Sequence, residues 1–189
     1  TGWNLVSGGL IRSDGTNNGD NAWWGTVLYR IADGTEANVL TFNLPNSRAD
    51  MAIGSVVAFS GVTATAGFAA DGTAGGPFDV DPGTLNLANS VTATATGITT
   101  TTANAAVVMF AMVNNNNSYT PWAATNPATL NELYDNLTAS GDDASVGAAW
   151  AIRSTAGATG NGTVTISASD RNAALMIALR RAVPAITVS

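Results

Sequence analysis

The chain has 189 residues, a formal net charge of −6 and 11% charged residues, against about 25% in typical soluble domains. It contains no histidine, cysteine or lysine, which excludes histidine-based triads, thiolate nucleophiles, imidazole or thiolate metal sites and Schiff bases. The acidic balance argues against a nucleic-acid partner, and no apolar run approaches the roughly 20 residues of a membrane-spanning helix.

The first part of the chain reads as β-strands separated by polar turns. Residues 22–32 alternate in polarity and predict one long strand, which Asp33 and Gly34 end with a tight turn. Residues 38–43 predict the next strand. Residues 51–60 are apolar at nearly every position, which predicts a strand that is central or covered on both faces.

The second part continues the same rhythm after a long, weakly patterned stretch at residues 61–89. Residues 119–122 are predicted as a loop, and residues 129–135 as either a short helix or a strand. Further strands are predicted at residues 91–96, 105–113, 145–153, 163–169 and 173–180.

About ten short strands with glycine-rich turns indicate an all-β antiparallel sandwich or jelly roll with little helix. No linker divides the chain, so residues 1–189 are predicted to be one domain. Residues 182–189 are a candidate C-terminal extension, which either adds a strand to a neighbouring chain or ends the domain's own sheet.

The order of motifs resembles a β-sandwich surface domain of tailed-phage and phage-like particle proteins, which also occurs in secreted bacterial proteins. The resemblance spans about residues 2–180, consists mainly of strand and turn determinants, and supplies no catalytic residues. It implies an exposed virion or extracellular module. The motifs are G-W-x-L-V (2–6), W-W-x-x-V-L-Y-R-I-A-D-G-T-E (23–36), R-A-D-M-A-I (48–53), A-F-S-G-V (58–62), T-T-T-A-N-A-A-V-V (100–108), S-T-A-G-A-T-G (154–160) and M-I-A-L-R (176–180).

Aromatic residues give the first candidate site. Trp3, Trp23 and Trp150 lie in strand patterns and are expected in the core, whereas Trp24 points opposite to Trp23, so one of that pair is a candidate for the surface. The remaining tryptophan lies in a polar segment, where an aromatic ring beside amide groups suits stacking on a sugar. The candidate sugar contacts are Tyr119, Trp122, Asn116 and Asn117. The alternative is a loop folded over the edge of the core, or a subunit contact.

Carboxylates give the second candidate site. Asp71, Asp79 and Asp81 lie in one glycine-rich stretch and are candidate ligands of a Ca²⁺ ion, although their spacing is not that of an EF-hand. Weaker candidates are Asp14 with Asp20, and Asp142 with Asp143. Aspartate is also an ordinary turn-forming residue, which is the simpler explanation for all of them.

These observations predict a non-enzymatic structural protein on the surface of a phage or phage-like particle, as a decoration, spike or fibre subunit. Its expected partners are copies of itself and other particle subunits. The alternative function is a carbohydrate-binding or host-attachment module that binds surface glycans. A hydrolase is the least favoured function, because nothing in the sequence brings Glu36 and Glu132, the two glutamates, together as a glycosidase requires.

Overall fold

The computed structural model describes residues 2–6, 11–12, 23–37, 39–42, 52–141 and 143–183. The predictions made for Asp14, Asp20, Asp142 and residues 184–189 lie outside these ranges. Within them the chain forms fourteen strands and no helix, so the described residues include no helix able to cross a membrane.

The strands differ widely in length, from two to eighteen residues. In chain order they are β1 (Asn4–Leu5), β2 (Ile11–Arg12), β3 (Trp24–Gly25), β4 (Leu28–Tyr29), β5 (Gly67–Phe68), β6 (Ala74–Gly76), β7 (Asn86–Ala95), β8 (Thr99–Thr100), β9 (Ala105–Val113), β10 (Tyr119–Ala123), β11 (Asn131–Thr138), β12 (Ala144–Arg153), β13 (Gly157–Ala158) and β14 (Gly162–Leu179).

The long strands form one antiparallel sheet in the order β10–β14–β9–β12–β11, with β7 also paired to β14. Strand β9 is apolar throughout and buried at eight of its nine positions, as expected for a central strand covered on both faces. Smaller two-stranded sheets join β1 to β4, β2 to β3, β5 to β6 and β8 to β13. The predicted all-β, antiparallel, sandwich-like fold is confirmed.

Strand β14 bends sharply near its middle. Its first residues pair with β10 and its last residues pair with β9, while β7 pairs with both parts, on either side of a register shift between Thr165 and Asp170. In a straight strand Gly162 and Met176 would lie about 46 Å apart. Instead, a Cβ on Gly162 would collide with Met176 Cε and lie 2.8 Å from Met109 Sδ. The two ends of β14 therefore enclose a core between them.

That enclosed core is one of two apolar clusters, and it consists mostly of small side chains and methionines from the long strands. The second cluster lies on the other face of the sheet, where Phe78, Val108 and Leu175 are fully buried. Much of this second cluster is covered by aromatic residues that are themselves only partly buried, including Trp23, Phe59 and Trp150.

The first part of the chain departs from the sequence prediction. The described part of the predicted strand at residues 22–32 contains only β3 and β4, because each finds a partner of just two residues, in β2 and β1. Residues 52–60 form no strand, and their alternate positions are exposed, including Val56 at 59%. The prediction of a central or doubly covered strand there is wrong. An apolar pattern indicates which side chains of an extended segment pack against the protein. It does not show whether the backbone of that segment has a strand to pair with.

In the second part of the chain, one segment differs from the prediction, and the structure decides between the two alternatives given for another. Residues 119–122 lie in strand β10 rather than in a loop, because Tyr119 and Trp122 pair with Ile166 and Val164 of β14. The ambiguous segment at residues 129–135 is extended, and its strand β11 pairs along its length with β12.

Candidate functional sites

The candidate sugar-binding aromatics are buried. Tyr119 is 1% exposed and Trp122 is 5% exposed. Their rings stack with centroids 5.6 Å apart and lie against Gly147 of β12, where a Cβ would be 2.8 Å from Trp122 Cζ2. The expectation that these rings face solvent is wrong, because they fill the space that a glycine leaves between β10 and β12.

Polar contacts fix this aromatic pair in the core. The Tyr119 hydroxyl lies 3.0 Å from Ser145 Oγ, and Trp122 Nε1 donates to Glu132 Oε2 at 3.1 Å. The Tyr119 amide donates to Asp135 Oδ2 at 3.0 Å. Burial raises the pKa of the Tyr119 hydroxyl, because the charged phenolate would be poorly solvated there. Buried tyrosine and tryptophan normally find such partners, so the pair is structural.

The two asparagines of the same candidate site differ in their exposure to solvent. Asn117 is 2% exposed, and its side-chain carbonyl accepts from Ser167 Oγ at 3.0 Å and from the Ala168 amide at 2.6 Å. Its Nδ2 donates to Asp170 Oδ2 at 3.1 Å. Asn116 is exposed. Asn117 therefore ties the turn before β10 to the bend of β14, and only Asn116 is free to meet a ligand.

Of the three candidate calcium ligands, one is buried and two are exposed. Asp79 is fully buried, and its carboxylate accepts from the Thr101 amide at 2.6 Å, from the Thr102 amide at 3.2 Å and from the Thr102 hydroxyl. Asp71 is exposed and forms a local turn with Thr73, whose amide and hydroxyl lower the pKa of its carboxyl. Asp81 is exposed. The carboxylate of Asp79 therefore already accepts hydrogen bonds from the turn at residues 101–102.

No group of three His, Cys, Asp or Glu side chains that could hold a metal ion occurs among the described residues. The structure therefore does not gather Asp71, Asp79 and Asp81 into the predicted Ca²⁺ site, because Asp79 points into the protein and Asp71 and Asp81 face solvent.

The two glutamates have unrelated roles. Glu36 accepts from the amides of Asp33 at 2.8 Å and Gly34 at 3.0 Å, and it also lies 3.4 Å from the Arg30 guanidinium. Glu36 therefore closes the turn at Asp33 and Gly34. Glu132 accepts from Trp122, as described above. Each carboxylate has its own structural partner, which gives no support to a paired-carboxylate mechanism.

The most unusual surface was not identified from the sequence. Residues 52–60 run over the sheet with their odd-numbered side chains half-buried and their even-numbered ones exposed. Phe59 packs edge-on against Trp150, and Ser55 accepts a 2.6 Å hydrogen bond from Asn136 of β11. A cleft of about 580 Å³ opens beside the segment. The small residues Gly54 and Ala58 at alternate positions were the available signal that one face is not core.

Comparisons of the chain with protein-family models, with curated proteins and with solved structures found no match. The resemblance of its motifs to phage surface domains therefore stays a prediction. What the chain does has to be inferred from its own surfaces.

Proposed function

We propose that this chain is a non-enzymatic structural subunit of a phage or phage-like particle, as a decoration, spike or fibre component. Its partners are copies of itself and neighbouring particle subunits, at the virion surface or outside the cell. The proposal combines the resemblance of the motifs with one observation on the surface, which is the uneven distribution of exposed apolar side chains.

Twelve large hydrophobic side chains are exposed among the described residues, and seven of them come before residue 61. That region supplies far fewer than half of the described residues, and only Val6 and Val27 are buried in it. The seven are Leu5, Trp24, Ile31, Val39, Leu40, Phe42 and Val56.

Exposed apolar side chains scattered singly are normal, but a concentration of them marks an interaction surface. Because only 11% of the residues are charged, few charges are available to solvate this surface. Burial against another subunit would remove these apolar side chains from water. An interface of this kind needs shape and apolar area rather than reactive groups.

The carbohydrate-binding function is not proposed further. It depended on Tyr119, Trp122 and Asn117 reaching solvent, and all three are at most 5% exposed.

The test is the assembly state of the purified chain, measured by light scattering over a wide range of concentration and by electron microscopy. We expect a homo-oligomer or a larger particle. Replacing Val39 and Phe42 together by serine should weaken the assembly, because these side chains are 74% and 48% exposed in the apolar region.

The matched control is Val91→Ser, a side chain that is 51% exposed and lies in strand β7 of the sheet. It should leave assembly unchanged. A chain that stays monomeric at every concentration and does not bind to particles would contradict the proposed function.

A further inference from the structure

We infer that residues 52–60 form an intermolecular strand, which pairs antiparallel with the same residues of a second copy of this chain. This inference rests on the proposed function, since it names the partner and the contact of one subunit interface. It is carried by the unpaired backbone of the segment, by its alternating burial, and by the cleft beside it.

The backbone of the segment lacks hydrogen-bond partners within the described chain. None of the N–H or C=O groups of residues 52–60 bonds to another described backbone or side-chain group, although Ser55 accepts a bond through its hydroxyl. Nine consecutive residues that alternate in burial and have no backbone partner in the described chain present free donors and acceptors, as the open side of an edge strand does. Such an edge is a template for a strand of another chain.

The nearest backbone pairing within the described chain lies just after the C-terminal end of this segment. The Ala182 amide donates to the Gly61 carbonyl at 2.8 Å, and the Thr63 amide donates to the Arg180 carbonyl at 3.0 Å. Gly61 has a positive φ of 72°, which breaks the extended backbone at that point.

Alternation of burial limits how the segment can pair with a copy of itself. Paired residues of an antiparallel ladder lie on the same face, so half-buried positions must meet half-buried positions. This condition requires a two-fold axis that passes through a residue. Only an axis at Val56 pairs all nine residues. It sets Ile53 against Phe59, Ser55 against Val57, and Gly54 against Ala58 of the second copy.

The chemistry of the segment suits this self-pairing. No charged residue occurs from residue 52 to residue 62, so two copies meet without the like-charge repulsion that protects natural edge strands. The outward positions are small at Gly54 and Ala58. The cleft beside the segment is lined mostly by apolar side chains, including Leu133, Trp150 and Ile152. It offers space for the inward side chains of a second strand.

The chain contains no cysteine, so a single introduced thiol reports this contact directly. In the inferred dimer the two copies of Val56→Cys face each other and should form a disulfide under mild oxidation. The control Ala58→Cys is exposed on the same face, but its two copies lie four residues apart along the ladder, about 13 Å. It should give no cross-link. The double variant Gly54→Cys with Ala58→Cys should cross-link again.

Light scattering on the same samples distinguishes the outcomes. Cross-linking of Val56→Cys and of the double variant, without Ala58→Cys, supports the strand pairing. An assembled protein in which Val56→Cys and Ala58→Cys cross-link equally, or neither does, overturns the strand pairing and leaves the proposed function standing. A protein that is monomeric at every concentration overturns both.

Discussion

The chain before residue 61 and the six-stranded sheet of β7, β9, β10, β11, β12 and β14 contain similar apolar residues but use them differently. In the sheet, strands of five to eighteen residues pair along most of their length, and both faces of β9 are buried. In the earlier part, β1 to β4 have two residues each. Hydrophobicity alone therefore does not create a core. A strand also needs partners long enough to satisfy its backbone.

This difference gives each region a different dependence on its surroundings. The sheet buries its apolar area within one chain, and that burial is the main favourable contribution to folding. The earlier part leaves apolar side chains exposed, and the backbone of residues 52–60 makes no hydrogen bond within the described chain. We therefore expect substitutions in the sheet to change folding stability, and substitutions in the earlier part to change association.

The largest effect is expected from truncating the sheet's core. Leu175 is fully buried, so Leu175→Ala should lower the free energy of unfolding by about 2–5 kcal/mol through lost transfer energy and a cavity. The matched control is Leu5→Ala, whose side chain is 47% exposed and which should cost less than about 1 kcal/mol. Denaturant titration followed by tryptophan fluorescence measures both. Equal losses would contradict the division of the molecule into two regions.

The next effect is expected at the buried carboxylate. Asp79→Ala leaves the Thr101 and Thr102 amides and the Thr102 hydroxyl without their acceptor. At about 1–3 kcal/mol for each buried unsatisfied group, and with the threonines partly solvated, the expected loss is about 2–4 kcal/mol. Asp71→Ala removes only an exposed turn and should leave the melting temperature almost unchanged. Thermal unfolding compares the pair, and similar melting temperatures would refute the structural role of Asp79.

A smaller effect is expected from adding one methyl group beside the buried aromatics. Gly147→Ala places a Cβ 2.8 Å from Trp122 and 2.9 Å from Tyr119, which should destabilise the sheet by about 1–3 kcal/mol. Gly54→Ala is the matched control, because nothing lies within 4 Å of its added Cβ. It should change the free energy of unfolding by at most about 0.5 kcal/mol. A Gly147→Ala protein as stable as the parent would mean that the rings are not packed on β12.

Alkaline titration should act on the sheet only at high pH. Burial raises the pKa of Tyr134 to about 12 and raises that of Tyr119 as well. A raised folded-state pKa gives stability that is complete below the unfolded value of about 10 and is lost as the pH rises through the folded value. Phenolate absorbance should therefore show these two tyrosines ionising late. Their ionisation near pH 10 in the folded protein would contradict their burial.

The smallest effect is expected in the exposed turn of the earlier region. Hydrogen bonds from Thr35 lower the pKa of Asp33, and bonds from the amides of Asp33 and Gly34 lower that of Glu36. Their contribution is present above the unfolded values near 4 and is lost as the pH falls through the lowered folded values. Glu36→Gln should shift the turn's NMR signals but leave the melting temperature of the sheet unchanged. A large drop in that temperature would contradict the separation of the regions.

The sequence predicted the sheet well because its strands carry local signals. The apolar run of β9 and the alternation at Val146, Ala148 and Trp150 in β12 indicate the strands, although the more deeply buried face of β12 is the other one, which includes Ala149 and Ala151. The sharp bend within β14 was not predictable, since the polar residues at the bend resemble a turn between two separate strands. Only the ladders with β7, β9 and β10 show that it is one strand.

The burial of several candidate site residues was not predicted, for a related reason. The polar residues around Trp122 made its segment look like a loop, whereas Gly147 on a distant strand provides the space that buries the ring. Asp79 and Asp71 look alike in sequence, but only Asp79 meets the 101–102 turn. The surface of residues 52–60 was missed because the composition of a strand does not reveal whether its backbone will find a partner.

Hydrogen exchange measured by mass spectrometry tests the central claim most directly, with the chain compared in dilute and in assembled form. The amides of β9, β12 and β14 should be protected in both, because their ladders lie within one chain. The amides of residues 52–60 should exchange freely when dilute and become protected on assembly. Equal exchange of residues 52–60 in the two forms would contradict the claim that this region is completed by another subunit.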